Sequence, residues 1–125
     1  MEPVTPLLPN DVLIVEDDAI IALDFEDTLL GFGVKTVRTA GNVARAMQLI
    51  DDRAPDFALL DVGLAGGKSF AVAERLHAMQ IPFVFITGYS GEIGIPLVLK
   101  GTPTLPKPCT SDLLLAAVRQ RARRG

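Results

Sequence analysis

Cysteine is almost absent from this chain of 125 residues, in which Cys109 is the single instance. One cysteine cannot form a disulfide within the chain. It also argues against a zinc cluster, which uses several thiolate or imidazole ligands. A reducing compartment such as the cytoplasm fits this cysteine usage best.

Long apolar runs are also absent. No run approaches the roughly 20 residues that a membrane-spanning helix needs, and the N-terminus lacks the basic start and continuous apolar stretch of a secretory signal. Pro3, Pro6 and Pro9 instead predict an extended, flexible tail over residues 1–10. We therefore expect a soluble, cytoplasmic protein.

The chain has no excess of basic residues. Its 12 Lys and Arg against 15 Asp and Glu give a net charge of -3. This balance argues against general nucleic-acid binding, which relies on clustered positive charge. A composition of 49% hydrophobic and 22% charged residues excludes a disordered chain. At this length the sequence predicts one domain, over residues 11–123, with a single sizeable core.

The sequence does contain a fivefold alternation of apolar runs with segments of helical period. This alternation is typical of βα units, so the predicted fold class is α/β with a parallel sheet. Runs that are apolar at nearly every position predict strands covered by helices on both faces. The second strand, near residues 34–39, is more mixed and suits an edge of the sheet.

The apolar periodicity also predicts the helices. We expect the first over about residues 18–30, with Ile20, Leu23 and Leu30 on its buried stripe and Gly31 at its end. A fourth helix, over residues 90–100, is weakened by two glycines and a proline. The other helices are predicted over residues 43–54, over 69–79 and from 110 or 111 onward. The last of them should bury Leu113, Leu114, Ala117 and Val118.

Four of the apolar runs end, at one edge of the predicted sheet, on residues that handle phosphate or metal. Runs 12–15, 57–60, 83–86 and 103–106 lead, in turn, into Glu16 with Asp17, Asp61, Thr87 and Lys107. In an open parallel sheet, ligands bind outside the carboxyl ends of the strands. Three carboxylates, a hydroxyl and an ammonium should therefore converge there.

This set of groups suits a divalent cation and a phosphoryl group. Mg²⁺ prefers oxygen ligands, commonly one or two carboxylates plus phosphate oxygens. In strand order 2-1-3-4-5 the first and third strands are neighbours, which brings Glu16 and Asp17 close to Asp61. Clustered carboxylates repel one another, and Lys107 can offset that repulsion and also pair with phosphate.

Each of these residues also has an ordinary interpretation. Acids after a strand often cap a helix, so Asp17 or Asp18 could simply begin the first helix. Taken one at a time, Asp61, Thr87 and Lys107 are common loop residues. The functional interpretation therefore depends on their occurrence together at one edge.

Four motifs, in combination and in order, resemble the receiver domain of two-component response regulators. They are Val-Glu-Asp-Asp at 15–18, Leu-Leu-Asp at 59–61, Ile-Thr-Gly at 86–88 and Lys107-Pro108. The resemblance spans about residues 11–121. It implies the flavodoxin-like, CheY-like (βα)5 fold, with five parallel strands in order 2-1-3-4-5 and helices on both faces.

By this resemblance Asp61 is the phosphoacceptor, which takes a phosphoryl group from the phosphohistidine of a partner sensor kinase. Thr87 and Lys107 would bind the phosphoryl oxygens. The metal, Mg²⁺ or Mn²⁺, would be held by Glu16, Asp17, Asp61 and the backbone carbonyl of Gly63. The domain would be a signalling switch rather than an enzyme, although it assists its own phosphorylation and dephosphorylation.

The implied partners are a sensor histidine kinase, a histidine phosphotransfer protein and a downstream protein target, without direct contact to nucleic acid or membrane. A homodimer through the fourth helix, fifth strand and fifth helix is a further expectation. Two alternatives stay open. One is a receiver-like module that binds partners without phosphorylation. The other is a Mg²⁺-dependent phosphatase or phosphotransferase with Asp61 as nucleophile, a class that usually carries another acid where this chain has Gly63.

The chain departs from the receiver pattern at Thr104, where many receivers carry an aromatic residue three positions before the lysine. Phe-Ile-Thr-Gly-Tyr at 85–89 and Leu-Pro-Lys-Pro at 105–108 resemble the FATGUY subgroup of receivers, often stand-alone domains in alphaproteobacterial stress signalling. Either Tyr89 and residues 90–100 form the switch instead, or this segment is merely a permissive loop.

Overall fold

The computed structural model describes residues 8–64, 67–88, 99, 101–107 and 109–124. The strands in that part of the chain are β1 (Asp11–Val15), β2 (Thr36–Ala40), β3 (Phe57–Asp61), β4 (Gly63–Leu64), β5 (Gly67–Lys68), β6 (Phe83–Thr87) and β7 (Thr104–Pro106). The helices are α1 (Ala19–Phe32), α2 (Val43–Asp52), α3 (Phe70–Ala78) and α4 (Ser111–Arg124).

Five of the strands form one parallel sheet in the order β2-β1-β3-β6-β7. With the short strands β4 and β5 left out of the count, this is the predicted order 2-1-3-4-5. The α/β fold class is thereby confirmed, and β2 lies at an edge of the sheet as expected. Strands β4 and β5 form a separate antiparallel pair directly after β3, which was not predicted from the sequence.

The central strands β1, β3 and β6 are buried at every position. Because successive side chains point to opposite faces, each strand contributes to two cores. Leu13 and Phe85 belong to the core under α2 and α3, whereas Ile14 and Val84 belong to the core under α1 and α4. Helices on both faces explain why these runs are apolar without alternation.

Helix α1 buries a different face from the predicted one. The prediction for Ile20, Leu23 and Leu30 is wrong, because their exposed fractions are 80%, 55% and 43%. The buried residues of α1 are Ala22, Phe25 and Leu29. Both sets have helical spacing, but an aromatic ring offers the larger apolar area to bury, so the helix is rotated to place Phe25 against the sheet.

The same helix ends two residues later than predicted, at Gly33 rather than Gly31. Gly33 takes the left-handed conformation with φ 113, and its N–H donates to the carbonyl of Leu30 at 3.1 Å. The N–H of Val34 donates to the carbonyl of Leu29, also at 3.1 Å. This is the hydrogen-bond pattern of a glycine-terminated helix, which satisfies the last carbonyls of α1.

The starts of the other helices agree with the predictions. Asn42 caps α2 and accepts a hydrogen bond from the Arg45 N–H at 2.8 Å. Helix α3 follows Ser69, and α4 follows Thr110, which accepts from the Leu113 N–H at 3.3 Å. None of the helices in the described part is long and apolar enough to cross a membrane.

One prediction for the last helix is wrong, and the predicted fourth helix falls almost wholly outside the described residues. Leu113 was expected to be buried and is 44% exposed, because α4 packs through Leu114, Ala117 and Val118. The predicted fourth helix over residues 90–100 lies outside the described residues apart from Leu99, which is buried. Tyr89 and Pro108 also lie outside them.

Residues 1–7 of the predicted N-terminal tail lie outside the described part of the chain. The next three residues contact the domain. Leu8 packs against the core under α1, Pro9 is buried, and the Asn10 N–H donates to the Asp56 carboxylate at 3.1 Å.

Ion pairs join the start of β1 to β2 and to the residue after α2. They lie toward the ends of the strands opposite the predicted site. The Asp11 carboxylate accepts from Arg38 Nε at 3.0 Å and from Arg53 Nε at 2.7 Å. Arg38 also donates to the backbone carbonyls of Leu49 and Arg53, each at 2.8 Å. These groups satisfy one another, so we assign the Asp11 cluster a structural role.

Gly31→Ala and Gly33→Ala should change the free energy of unfolding in opposite directions. Gly31 lies inside α1, and an added Cβ would meet no atom within 4 Å. Alanine there should stabilise the fold by about 0.5 kcal/mol, because it restricts the unfolded chain. At Gly33, where φ is 113, a Cβ is strained, so alanine should destabilise by about 1 kcal/mol or more.

Urea unfolding of both variants beside the wild type measures this difference. Equal losses of stability in the two variants would contradict the assignment of the helix end to Gly33.

Candidate functional site

The carboxyl ends of β1 and β3 bring the predicted acids together. The two strands are paired in parallel, with Val15 opposite Leu60, so Glu16 and Asp61 follow at the same level of the sheet. The N–H of Glu16 also donates to the carbonyl of Ala40 at 2.9 Å, which ties it to the end of β2. Backbone pairing therefore fixes the positions of the two residues that carry these carboxylates.

One carboxylate oxygen from each of Glu16, Asp17 and Asp61 lies within 4.8 Å of the others. Glu16 is 3% exposed and Asp61 is 5% exposed, while Asp17 is exposed to solvent. The set thus has two buried members and one at the surface. A cation that approaches from solvent can reach all three from one side.

Asp18 has a different role from its neighbours. Its carboxylate accepts hydrogen bonds from the N–H groups of Ile20 at 2.9 Å and Ile21 at 3.2 Å, so it caps α1. Its own N–H donates to the second oxygen of Glu16 at 3.1 Å. The acids at 16–18 therefore divide into one helix cap and two members of the cluster.

Lys107 supplies the positive charge at the centre of the cluster. Its Nζ lies 2.8 Å from the Asp61 carboxylate and 3.2 Å from Glu16 Oε1. Its backbone N–H donates to the carbonyl of Thr87 at 2.8 Å, just beyond the register pair of Thr87 with Pro106. The pairing of β7 with β6 thus places Lys107 within reach of Asp61, although β6 lies between the strands that precede them.

The environment shifts the pKa of two of these groups. Desolvation by burial raises the pKa of Glu16 from 4.5 to about 7, and the charge of Asp61 adds to this effect. The hydrogen bond from the Asp18 N–H and the nearby Lys107 ammonium oppose it without cancelling it. Desolvation by burial lowers the pKa of Lys107, but the hydrogen bond and charge of Asp61, followed by those of Glu16, outweigh it and raise the net value.

The loop after β3 holds the other side of the Asp61 carboxylate. The Gly63 N–H donates to Asp61 Oδ1 at 3.3 Å, while Oδ2 takes the Lys107 ammonium. Gly63 pairs with Lys68 in the β4–β5 hairpin. The backbone of Gly63, the residue predicted to offer a carbonyl ligand, is thereby placed directly beside the acid cluster.

The remaining predicted residue, Thr87, is buried at the end of β6. On the neighbouring strand β7, Thr104 is half-buried and pairs in the sheet register with Phe85, two residues before Thr87.

On the α1 side of the acids lies a surface cleft of about 370 Å³, lined among others by Leu23, Glu26 and Thr39. No residue of this cleft beyond the acids was predicted, because sequence spacing does not show which helix side chains border a strand end.

The donor set fits a hard divalent cation. All three clustered side chains offer carboxylate oxygens, the ligand type of Mg²⁺ and Mn²⁺. Glu16 Oε1 is buried and forms no hydrogen bond within the described residues, although it is ion-paired with Lys107. Because Oε1 accepts no hydrogen bond within the described residues, it remains available to coordinate a cation.

Comparison with known proteins shows which family the sequence resembles. The family model of the response regulator receiver domain matches residues 12–119. The phyllosphere-induced regulator PhyR of Methylorubrum extorquens is 29% identical over 94% of this chain and 47% of its own length. The transcriptional regulatory protein AfsQ1 of Streptomyces coelicolor is 31% identical, over 94% of this chain and 53% of its own.

Among solved structures, that of SdrG from Sphingomonas melonis is 41% identical in sequence. It superimposes with a TM-score of 0.74 over 86% of this chain and 92% of SdrG. The chain spans about half the length of the curated relatives PhyR and AfsQ1. These relatives are regulators, in agreement with the expectation that the chain is not an enzyme.

Glu16 should make the metal-free protein less stable as the pH rises. Its pKa is about 7 in the folded protein against 4.5 ordinarily. The folded state therefore binds more protons than the unfolded state between these values, and stability falls across that window. The loss of folding stability is complete above about pH 7 and amounts to at most about 3 kcal/mol. Glu16→Gln should flatten this part of the profile.

The measurement is urea unfolding in EDTA at several values between pH 4.5 and 8. Glu74→Gln, which removes an exposed carboxylate on α3, serves as the matched control and should keep the wild-type slope. An unchanged slope in Glu16→Gln would show that Glu16 does not titrate in this range.

Proposed function

The chain belongs to the response regulator receiver domain family, and on that premise we propose that Asp61 accepts a phosphoryl group from the phosphohistidine of a sensor kinase, with Mg²⁺ bound beside it. One observation carries this proposal. The buried Asp61 carboxylate is held at 2.8 Å by the Lys107 ammonium, and two further carboxylates lie within 4.8 Å of it.

Asp61 is the nucleophile in this proposal. One of its oxygens forms a bond to phosphorus while the phosphorus–nitrogen bond of the phosphohistidine breaks, and the electron pair of that bond stays on the departing imidazole. Phosphoryl transfer depends chiefly on positioning and on neutralisation of charge. The Gly63 N–H and the Lys107 ammonium fix the orientation of the attacking carboxylate before the donor arrives.

Lys107 and Thr87 receive the product. The ammonium is already placed between two carboxylates, so it can move its contact from Asp61 to a phosphoryl oxygen without leaving the site. Thr87 lies at the end of the neighbouring strand, and its hydroxyl can donate to another phosphoryl oxygen. Because the Thr87 carbonyl accepts from the Lys107 N–H at 2.8 Å, the two phosphate-binding residues are linked through the backbone.

Glu16, Asp17 and Asp61 would hold the metal with their carboxylates, and Gly63 with its backbone carbonyl. When bound, Mg²⁺ supplies positive charge that offsets the charge on the transferring group. Mn²⁺ has the same preference for oxygen ligands. The oxygen that lacks a hydrogen bond on Glu16 supports this assignment.

The output of the domain would run through protein contacts. The proposed partners are a sensor histidine kinase, a histidine phosphotransfer protein and a downstream target. Contact with the target, or with a second copy of the chain, would use the face of β7 and α4 together with residues 90–100. Location in the cytoplasm, where such kinases present their phosphohistidine, belongs to the same proposal.

Asp61→Asn should abolish phosphorylation. The amide lacks the anionic oxygen that attacks phosphorus, so the variant should show no shifted band in Phos-tag electrophoresis after incubation with Mg²⁺ and acetyl phosphate. Wild type should shift, and EDTA should remove the shift. Asp52→Asn, at an exposed acid at the end of α2, should behave as wild type.

Two results would contradict the proposal. A band that persists in Asp61→Asn would place the phosphoryl group on another residue. No shift in wild type, with acetyl phosphate or with a panel of histidine kinases, would favour a module that binds partners without phosphorylation.

A further inference from the structure

Two buried side-chain oxygens form no hydrogen bond within the described residues: Glu16 Oε1 and Ser69 Oγ. The first belongs to the acid cluster, where coordination to a cation would satisfy it. The second has no such explanation. Ser69 is 0% exposed, and it precedes α3 without capping that helix through its side chain.

Ser69 closes the loop that carries Gly63. Its N–H donates to the carbonyl of Val62 at 3.1 Å, and the Val62 N–H donates to the carbonyl of Ile86 at 3.0 Å. Between these anchors the chain forms the β4–β5 hairpin, in which Gly63 pairs with Lys68. Ser69 is therefore hydrogen-bonded through its backbone to the residue directly before Gly63.

The peptide bond between Val62 and Gly63 is held from two sides. Ser69 holds its carbonyl, and Asp61 holds its N–H through the 3.3 Å contact to Oδ1. That second contact is longer than the usual range of about 2.7–3.2 Å.

A buried hydroxyl that lacks a partner destabilises the fold, and native proteins satisfy nearly all such groups. Glu16 Oε1 lies 3.2 Å from the Lys107 ammonium, so of the two oxygens only Ser69 Oγ has neither a hydrogen bond nor an ion pair within the described residues. Ser69 adjoins the segment that carries Gly63, an expected metal ligand, and the simplest explanation is that its hydroxyl gains a partner in the metal-bound state.

We infer that Ser69 is a positioning residue for the metal site. In the Mg²⁺-bound state its hydroxyl donates to a backbone carbonyl within residues 62–64 and holds the Gly63 carbonyl toward the cation. This inference rests on the proposed function, because it takes Gly63 as a metal ligand. It predicts that Ser69 contributes to Mg²⁺ affinity and contributes little to the stability of the metal-free fold.

The competing explanation is that Ser69 is an ordinary helix cap whose hydroxyl rotates onto the first N–H groups of α3. A cap stabilises the fold with and without metal. Thr110 offers a matched comparison, since its hydroxyl accepts from the Leu113 N–H at 3.3 Å at the start of α4. The two roles are separated when metal affinity and metal-free stability are measured on the same variants.

The test compares wild type, Ser69→Ala, Thr110→Ala and Asp17→Asn. Mg²⁺ is titrated into ¹⁵N-labelled protein and followed through amide shifts, and the melting temperature is measured in EDTA. Ser69→Ala should bind Mg²⁺ about tenfold more weakly, the lower end for partners that orient metal ligands. Its melting temperature in EDTA should equal or exceed that of wild type. Thr110→Ala should melt lower with unchanged Mg²⁺ affinity.

The amides of Gly63 and Lys68 give a second readout. Between wild type and Ser69→Ala they should differ more with saturating Mg²⁺ than in EDTA.

Any other outcome overturns the inference. The particular outcome identifies whether the metal site or only the role of Ser69 has failed. If wild type binds no Mg²⁺, or Asp17→Asn binds it as well as wild type does, the proposed metal site fails and Ser69 has nothing to position. If wild type binds and Ser69→Ala binds equally well, the metal site stands and only the role of Ser69 is lost. Weaker binding together with a melting temperature in EDTA below that of Thr110→Ala would indicate general damage to the loop.

Discussion

The ion pair between Lys107 and Asp61 is the interaction on which the arrangement of the site depends. It joins residues 46 positions apart in the chain at 2.8 Å, and it spans β6, which lies between β3 and β7 in the sheet. Two nearly buried carboxylates at one strand edge would repel each other strongly in a poorly solvated site. The lysine offsets this repulsion, and the pKa of Glu16 stays raised beside it chiefly because burial removes the carboxylate from water.

The parts of the fold that depend on covering a sheet could be predicted from the sequence. Strands that are apolar at every position need helices on both faces, so the fold class followed from the alternation. The sheet order, and with it the convergence of Glu16, Asp61 and Lys107, followed from the resemblance to receiver domains. The face of α1 did not follow. Its sequence contains two apolar stripes at helical spacing, and the larger ring of Phe25 decides between them, a difference that periodicity alone does not register. Gly31 and Gly33 posed the same difficulty, because either glycine could end the helix and the sequence does not show which one does.

Short-range details of the site also could not be predicted from the sequence. The β4–β5 hairpin comprises two strands of two residues each, and so short a pair has no periodicity to detect. Ser69 looked like any residue at a helix start, and its lack of a hydrogen bond is visible only once burial is known. The cleft beside the acids is lined by α1 and β2, two elements whose contact depends on the rotation of the helix.

Thr104 shows how the chain can lack one common feature of its family and keep the geometry of the site. An aromatic ring at that position is absent, yet Phe85, opposite Thr104 in the register, has two edge-to-face partners. Phe70 lies 5.9 Å from it at an interplanar angle of 85°, and Phe83 lies 5.6 Å from it at 79°. Phe70 directly follows Ser69, so the loop after Asp61 and the strand that carries Thr87 are packed together by aromatic rings. The start of α3 and β6 are thus held in contact by aromatic rings, without any ring on β7.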